Sequence, residues 1–115
     1  YADFCAQRTH FQVGAFLRQH LWPGPVAYVA LARLVRVLTA TGLTIHEIGD
    51  DTLSYAYTVR DWARGLETHR TVLAARFGEP AVRTFLLFFW ASYHFLTTNR
   101  TQAYHVVAGR QPREA

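Results

Sequence analysis

The sequence predicts an α/β fold, rich in helix, with two antiparallel strands that stand at the closing edge of a larger sheet. Three observations point there. Half of the 115 residues are hydrophobic and only 17% are charged, a composition of packed chains rather than disordered ones. Stretches of helical spacing and two short β-branched stretches alternate in the order helix, helix, strand, helix, helix, strand. Two strands alone make a poor sheet, so the pattern fits a fragment of an α/β domain better than a complete one. The first residue, Tyr1, is not Met, which suits a piece of a longer chain or a processed product.

Taken in order, Ala2 to His20 carries Phe4, Phe11, Ala15, Phe16 and Leu17 in a loosely helical pattern, weakened by Gly14. The "WPGP" at Trp22–Pro25 is a stop and turn. From Val26 to Thr41 the spacing is cleaner. Val26, Val29, Ala30, Leu34, Val37 and Leu38 share one side, and Gly42 follows where a left-handed C-cap is expected. "LTIHEI" (Leu43–Ile48) reads as a strand, and "GDD" (Gly49–Asp51) reads as its break. Thr58 to Phe77 reads as one helix, with Thr58 and Asp61 spaced as a capping box. Gly78 ends it, and Pro80 opens the next helix, Ala81 to Thr98. That helix is apolar on nearly all sides, so it is buried or holds one face against something greasy. "QAYHVVAG" (Gln102–Gly109) is the second strand, and the "RQPREA" tail is expected to fray.

Composition narrows the function classes. Every basic residue is arginine, twelve against eight acids for a net charge of +4. They are spread from Arg8 to Arg113 without a dense stripe, so no nucleic-acid partner is expected. The single cysteine, Cys5, cannot form an internal disulfide, which suits a reducing cytoplasm. No signal peptide is visible. The run "FLLFFWA" (Phe85–Ala91) falls far short of the ~18 apolar residues that a spanning helix needs. The histidines, at 10, 20, 46, 69, 94 and 105, have no ligand spacing, so no metal is expected.

Four stretches together resemble the C-terminal part of the cyclopropane-fatty-acyl-phospholipid synthase family, which includes the mycolic acid cyclopropane synthases. They are "FLRQHLWPG" (Phe16–Gly24), "YAYTVRDW" (Tyr55–Trp62), "FLLFFWASYHFL" (Phe85–Leu96) and "QAYHVV" (Gln102–Val107). The second is similar to the family's Tyr-x-x-Thr-Leu-Arg-x-Trp, with Val59 where leucine is common. Tyr93 and His94 stand where the family has small residues.

The resemblance implies a class I, Rossmann-like methyltransferase domain of which residues 1–115 are the C-terminal substrate and lid portion. It implies S-adenosylmethionine as donor, bound by an upstream half. The single glycines at 14, 24, 42, 49, 65, 78 and 109 form no Gly-rich cofactor loop. The implied reaction is methyl transfer to the double bond of an unsaturated fatty-acyl lipid or phospholipid, by cyclopropanation or C-methylation. Tyr55 matches the family tyrosine that helps hold bicarbonate as general base. A phenol just outside a helix N-terminus suits an anion, because it donates without adding charge. Phe85, Phe88, Phe89 and Tyr93 are the expected acyl-channel residues. The alternative for each is packing: such aromatic stripes form cores by default, and Tyr55 fits a strand-to-helix turn. Trp62 is expected to pack, and Arg60 to be a solvated first-turn arginine.

Phe4, Phe11, Phe16, Leu17 and Leu21, with Arg8 and Arg18 opposite, form a candidate amphipathic lid that suits peripheral contact with an anionic membrane from the cytoplasm. A second reading is a non-catalytic relative that binds lipid or a partner chain supplying the cofactor half. A third, a small helical nucleic-acid binder, is disfavoured by the scattered arginines.

Overall fold

A computed structural model of the protein describes residues 29–111. The candidate lid, Cys5, the "WPGP" turn and the first of the four family-like stretches lie outside them. Among the described residues the chain is helix-rich with one two-stranded antiparallel sheet. The order is α1 (Leu31–Ala40), β1 (Thr44–Asp50), α2 (Thr52–Thr68), α3 (Arg70–Phe77), α4 (Glu79–Thr97) and β2 (Tyr104–Gly109).

The helix ends follow local chemistry. Gly42 has φ 82°, and its amide and that of Leu43 reach the carbonyls of Thr39 (3.0 Å) and Leu38 (3.2 Å). This is a Schellman close, which a residue without Cβ enters at least cost. α4 ends the same way around Asn99 at φ 59°, with Arg100 bonded to the Phe95 carbonyl at 2.9 Å. Asparagine tolerates that conformation because its short polar side chain bonds locally. Gly78, at φ 90°, separates α3 from α4, and Pro80 sits in the first turn of α4.

Thr58–Phe77 is not one helix beginning at Thr58. α2 begins six residues earlier, and His69 separates it from α3. The early start has two causes. Asp50 Oδ1 accepts the Thr52 amide at 2.9 Å, so "GDD" caps the helix rather than breaking the strand, which continues through Asp50. The Thr52 hydroxyl and amide hold the Asp50 carboxyl below the usual carboxylate range. The second cause lies 51 residues away: the Ala103 amide donates to the Thr52 hydroxyl at 3.1 Å. The Asp51 amide donates to the Ala103 carbonyl at 2.9 Å. The expected capping box is therefore absent. Thr58 lies inside α2 and donates to the Ser54 carbonyl at 3.1 Å, while Asp61 pairs with Arg60 at 3.1 Å. At His69 the backbone turns away from helix geometry, and its ring Nδ1 donates to the Gly65 carbonyl at 2.9 Å in competition with the ladder.

The core lies between α2 and α4. Ala56, Val59 and Ala63 form a buried stripe on α2, and Val82 and Leu96 are buried on α4. Two alanines on the stripe let the helix backbones approach closely, and Phe89 and Tyr93 pack against it. Trp90 Nε1 donates to Glu67 Oε1 at 3.0 Å, a further tie between the two helices. Glu79 joins the starts of α3 and α4 by pairing with Arg70 and with Arg83. These charges are exposed, so the pair orients the elements more than it stabilises them.

In the sheet, Ile45 opposes Ala108 and Glu47 opposes Val107, leaving His46 as the extra residue of a bulge. The bulge has a sequence-level consequence. Ile45 and Ile48 are three apart and would face opposite sides of a regular strand. With His46 bulged, both share one face with Val106 and Ala108, and Glu47 and His105 share the other. Ile48 and Val107 remain exposed, so neither face of the ribbon is sealed by the described residues.

Candidate functional site

Val82, Phe85, Phe89, Tyr93 and Leu96 recur every three or four residues along α4, which places them on one side of it. The centre of that side is Phe89. Its ring lies 5.6 Å from Trp62 on α2, 6.0 Å from Phe85 and 5.6 Å from Phe88. Trp62 in turn meets Tyr55 edge-on at 6.4 Å, with the ring planes at 82°. Tyr55, Trp62, Phe89 and Phe85 thus form an unbroken file of aromatic rings. All the centroid separations fall within the range of favourable aromatic pairs.

Where α3 crosses beside this file, two adjoining grooves open, of about 520 and 480 Å³. They share Leu66, Leu73 and Phe89 and make one apolar trough. The first groove adds Trp62, Val72 and His69, and the second adds Phe77, Ala81, Val82 and Phe85. Asp61 and His69 are the ionisable side chains among the lining residues. Asp61 is engaged by Arg60, and His69 by Gly65. Trp62 is 49% exposed, Phe85 40% and Phe77 62%. Among the described residues, that much apolar surface lies in one concave strip rather than scattered singly.

The residues expected at the site divide. Phe85 and Phe89 line the trough; Phe88 stacks against Phe89, and Tyr93 packs on the core and edge-on to Trp90 at 5.9 Å. Tyr55 lies within the first turn of α2, not outside its N-terminus, and is 46% exposed. Its hydroxyl bonds to no described residue. Trp62 packs on one edge and lines the trough on another. Arg60 is not a solvated first-turn arginine: it lies over the Tyr57 ring at 4.8 Å and pairs with Asp61. The wall from α3 was not anticipated. Its signal is the four-residue spacing of Leu73 and Phe77, which reads as part of one long helix while Thr58–Phe77 is taken whole.

A polar cluster was also missed. His105 donates through Nε2 to Glu47 Oε1 (2.8 Å) and through Nδ1 to Asp51 Oδ2 (2.7 Å). Two carboxylate partners favour the doubly protonated ring, so Glu47 and Asp51 raise the His105 pKa above its ordinary value. The ring needs Gly49 opposite it on β1, since a Cβ there would lie 2.0 Å from Cε1. A raised histidine pKa contributes stability that is complete below about pH 6.5 and is lost as pH rises through the folded value. The urea midpoint should therefore fall as pH rises above about 6.5. His105→Gln should flatten that decline; a decline of equal slope in the variant would remove His105 as its cause.

Gly42, Gly49, Gly65, Gly78 and Gly109 stand apart along the described chain and form no glycine-rich loop. At the start of α2 the Thr52 amide is taken by the Asp50 carboxylate. No group of three or more His, Cys, Asp or Glu among the described residues is arranged to hold a metal ion. No helix among them is long and apolar enough to cross a membrane. No protein-family model matches the sequence, and no curated protein matches it.

Proposed function

We propose that this chain is the substrate-side portion of an S-adenosylmethionine-dependent methyltransferase of the class I, Rossmann-like type, acting on the double bond of an unsaturated fatty-acyl lipid. The observation that carries the reading is the file of rings from Tyr55 to Phe85 beside an apolar trough. An acyl chain lying in the trough passes Trp62, Phe89 and Phe85. Methyl addition to an alkene leaves positive charge on carbon, and aromatic faces stabilise such a charge where water is excluded. Tyr55, at the exposed end of the file, supplies a hydroxyl with no partner among the described residues, free to orient the group that removes a proton. S-adenosylmethionine, when bound, supplies the methyl group; its binding falls to residues other than those described here. The unsealed ribbon of β1 and β2 supports the same reading, since among the described residues each strand has one unpaired edge that could join a larger sheet. A cytoplasmic location, peripheral to the membrane, belongs to this proposal.

The full-length protein, given methyl-labelled S-adenosylmethionine and vesicles of an unsaturated phospholipid, should transfer label to the acyl chains. Mass spectrometry of the released fatty acids should show one added methylene or methyl group. Calorimetry separates the alternatives. Tight donor binding with labelled product supports the enzyme. Acyl binding without donor binding would replace it with a non-catalytic lipid-binding module, and donor binding with no labelled lipid would remove the acyl substrate.

A further inference from the structure

We infer that α1 rests on an anionic membrane surface, with Leu34 and Val37 entering the interface and Arg33 and Arg36 meeting lipid phosphates. The inference rests on the membrane-peripheral part of the reading above and assigns the surface that makes the contact. α1 carries two apolar strips. Leu31, Val35 and Leu38 share one, which is half-buried, on a helix that packs against β1. Leu34 and Val37 form the other, which is exposed, and Val29 just before the helix is exposed as well. Helical geometry sets Leu34 and Val37 between the half-buried strip and the exposed Arg33 and Arg36.

An apolar strip does not by itself name its occupant; the charge around it does. From Phe4 to His46 the sequence holds four arginines, at 8, 18, 33 and 36, and no acid. From Glu47 to Ala115 eight arginines meet seven acids. The arginines are evenly spread, so the asymmetry comes from the acids. Arg64, Arg76, Arg100 and Arg110, like Arg33 and Arg36, make no ion pair among the described residues, but all four lie in the acid-bearing part. The acids of β1, on which α1 packs, are engaged: Glu47 by His105 at 2.8 Å and Asp50 by the Thr52 amide at 2.9 Å. A helix that is apolar and cationic, with no negative charge of its own, matches an anionic bilayer. Lipid phosphate takes the guanidinium as a bidentate partner, and the acyl boundary takes the aliphatic side chains. A nucleic acid would use the arginines and leave Leu34 and Val37 in water.

Sedimentation of the full chain with vesicles tests this. The chain should bind vesicles of equal parts phosphatidylglycerol and phosphatidylcholine, and lose that binding in high salt or on phosphatidylcholine alone. Arg33→Gln with Arg36→Gln should weaken binding roughly 25-fold, about five-fold for each charge. Arg33→Lys with Arg36→Lys should hold it near the parent value. Leu34→Ser with Val37→Ser should weaken it about ten-fold or more. All these variants should keep the parent's circular dichroism spectrum. Equal binding to neutral vesicles, or binding that survives both the glutamine and the serine pair, would overturn the inference. DNA binding lost in the glutamine pair, with vesicle binding unaltered, would put a nucleic acid in place of lipid and overturn it too. So would dimerisation that the serine pair abolishes and vesicles do not reverse. Methyl transfer is read in parallel on lipid dispersed in detergent, where no bilayer is needed. Labelled lipid without vesicle binding would remove the membrane surface and spare the proposed reaction. Vesicle binding with the expected variant pattern and no labelled lipid would support the surface and remove the reaction.

Discussion

Ala63→Leu should destabilise the protein by about 3 kcal/mol, the upper part of the range for overpacked cores. Ala63 and Ala56 are fully buried on the side of α2 that faces α4, with Val59 between them at 2% exposure. A leucine at 63 would add three heavy atoms at a fully buried position, and so should push the helices apart. That separation would loosen Phe89 as well, because its ring packs on the same seam. A control lies two residues away. A methyl group at Gly65 meets nothing within 4 Å, so Gly65→Ala should stabilise α2 by roughly 0.5–1 kcal/mol through backbone entropy alone. Urea denaturation of both variants should move the midpoint in opposite directions. A neutral Ala63→Leu would show that the α2–α4 seam is not close-packed.

Tyr55→Phe should lower methyl-transfer turnover by about 10²-fold or more, the contribution typical of a positioned proton-handling group. It should leave the urea midpoint where it was. The two halves of this expectation have different sources. The loss of turnover follows from the proposed chemistry. The unchanged stability follows from the structure, in which the Tyr55 ring contacts Trp62 at 6.4 Å while its hydroxyl bonds to no described residue. Phenylalanine keeps the ring contact and removes only the hydroxyl. Tyr55→Leu would remove the ring too and should cost about 1 kcal/mol of stability besides. If Tyr55→Phe turned over at the parent rate, Tyr55 would be a packing residue and the proton-handling group would have to be sought elsewhere.

Features set by neighbouring residues were legible without the fold. Gly42 and Gly78 mark helix ends because a positive φ selects for a residue lacking Cβ, and that demand is local. Pro80 marks a helix start for an equally local reason. The start of α2 was not legible. Asp50 and Asp51 look like a strand break; the helix start there combines the local Asp50–Thr52 bond with the bonds that Ala103 brings to Thr52 and Asp51. The bulge at His46 was hidden in the same way. Only the register against Val107 and Ala108 shows that Ile45 and Ile48 share a face. Of the site, the aromatic content of α4 was plain in the sequence, and so were Phe85 and Phe89 as candidates. Which rings line a groove and which stack behind it depends on where α3 crosses.

By itself, then, the sequence determined both strands, the helical character of the segments between and before them (though not that Thr58–Phe77 holds two helices), and the aromatic character of the longest helix. Each follows from interactions within a few residues, namely side-chain periodicity, ring closure at proline and the steric freedom of glycine. Tertiary structure alone decided that Trp62, Phe89 and Phe85 meet, that Leu66, Leu73 and Phe77 complete their trough, and that His105 bridges Glu47 and Asp51 across more than fifty residues. These groups interact over a few ångströms only after the intervening chain has been ordered. No local pattern can announce a contact whose partner is brought in by the folding of everything between.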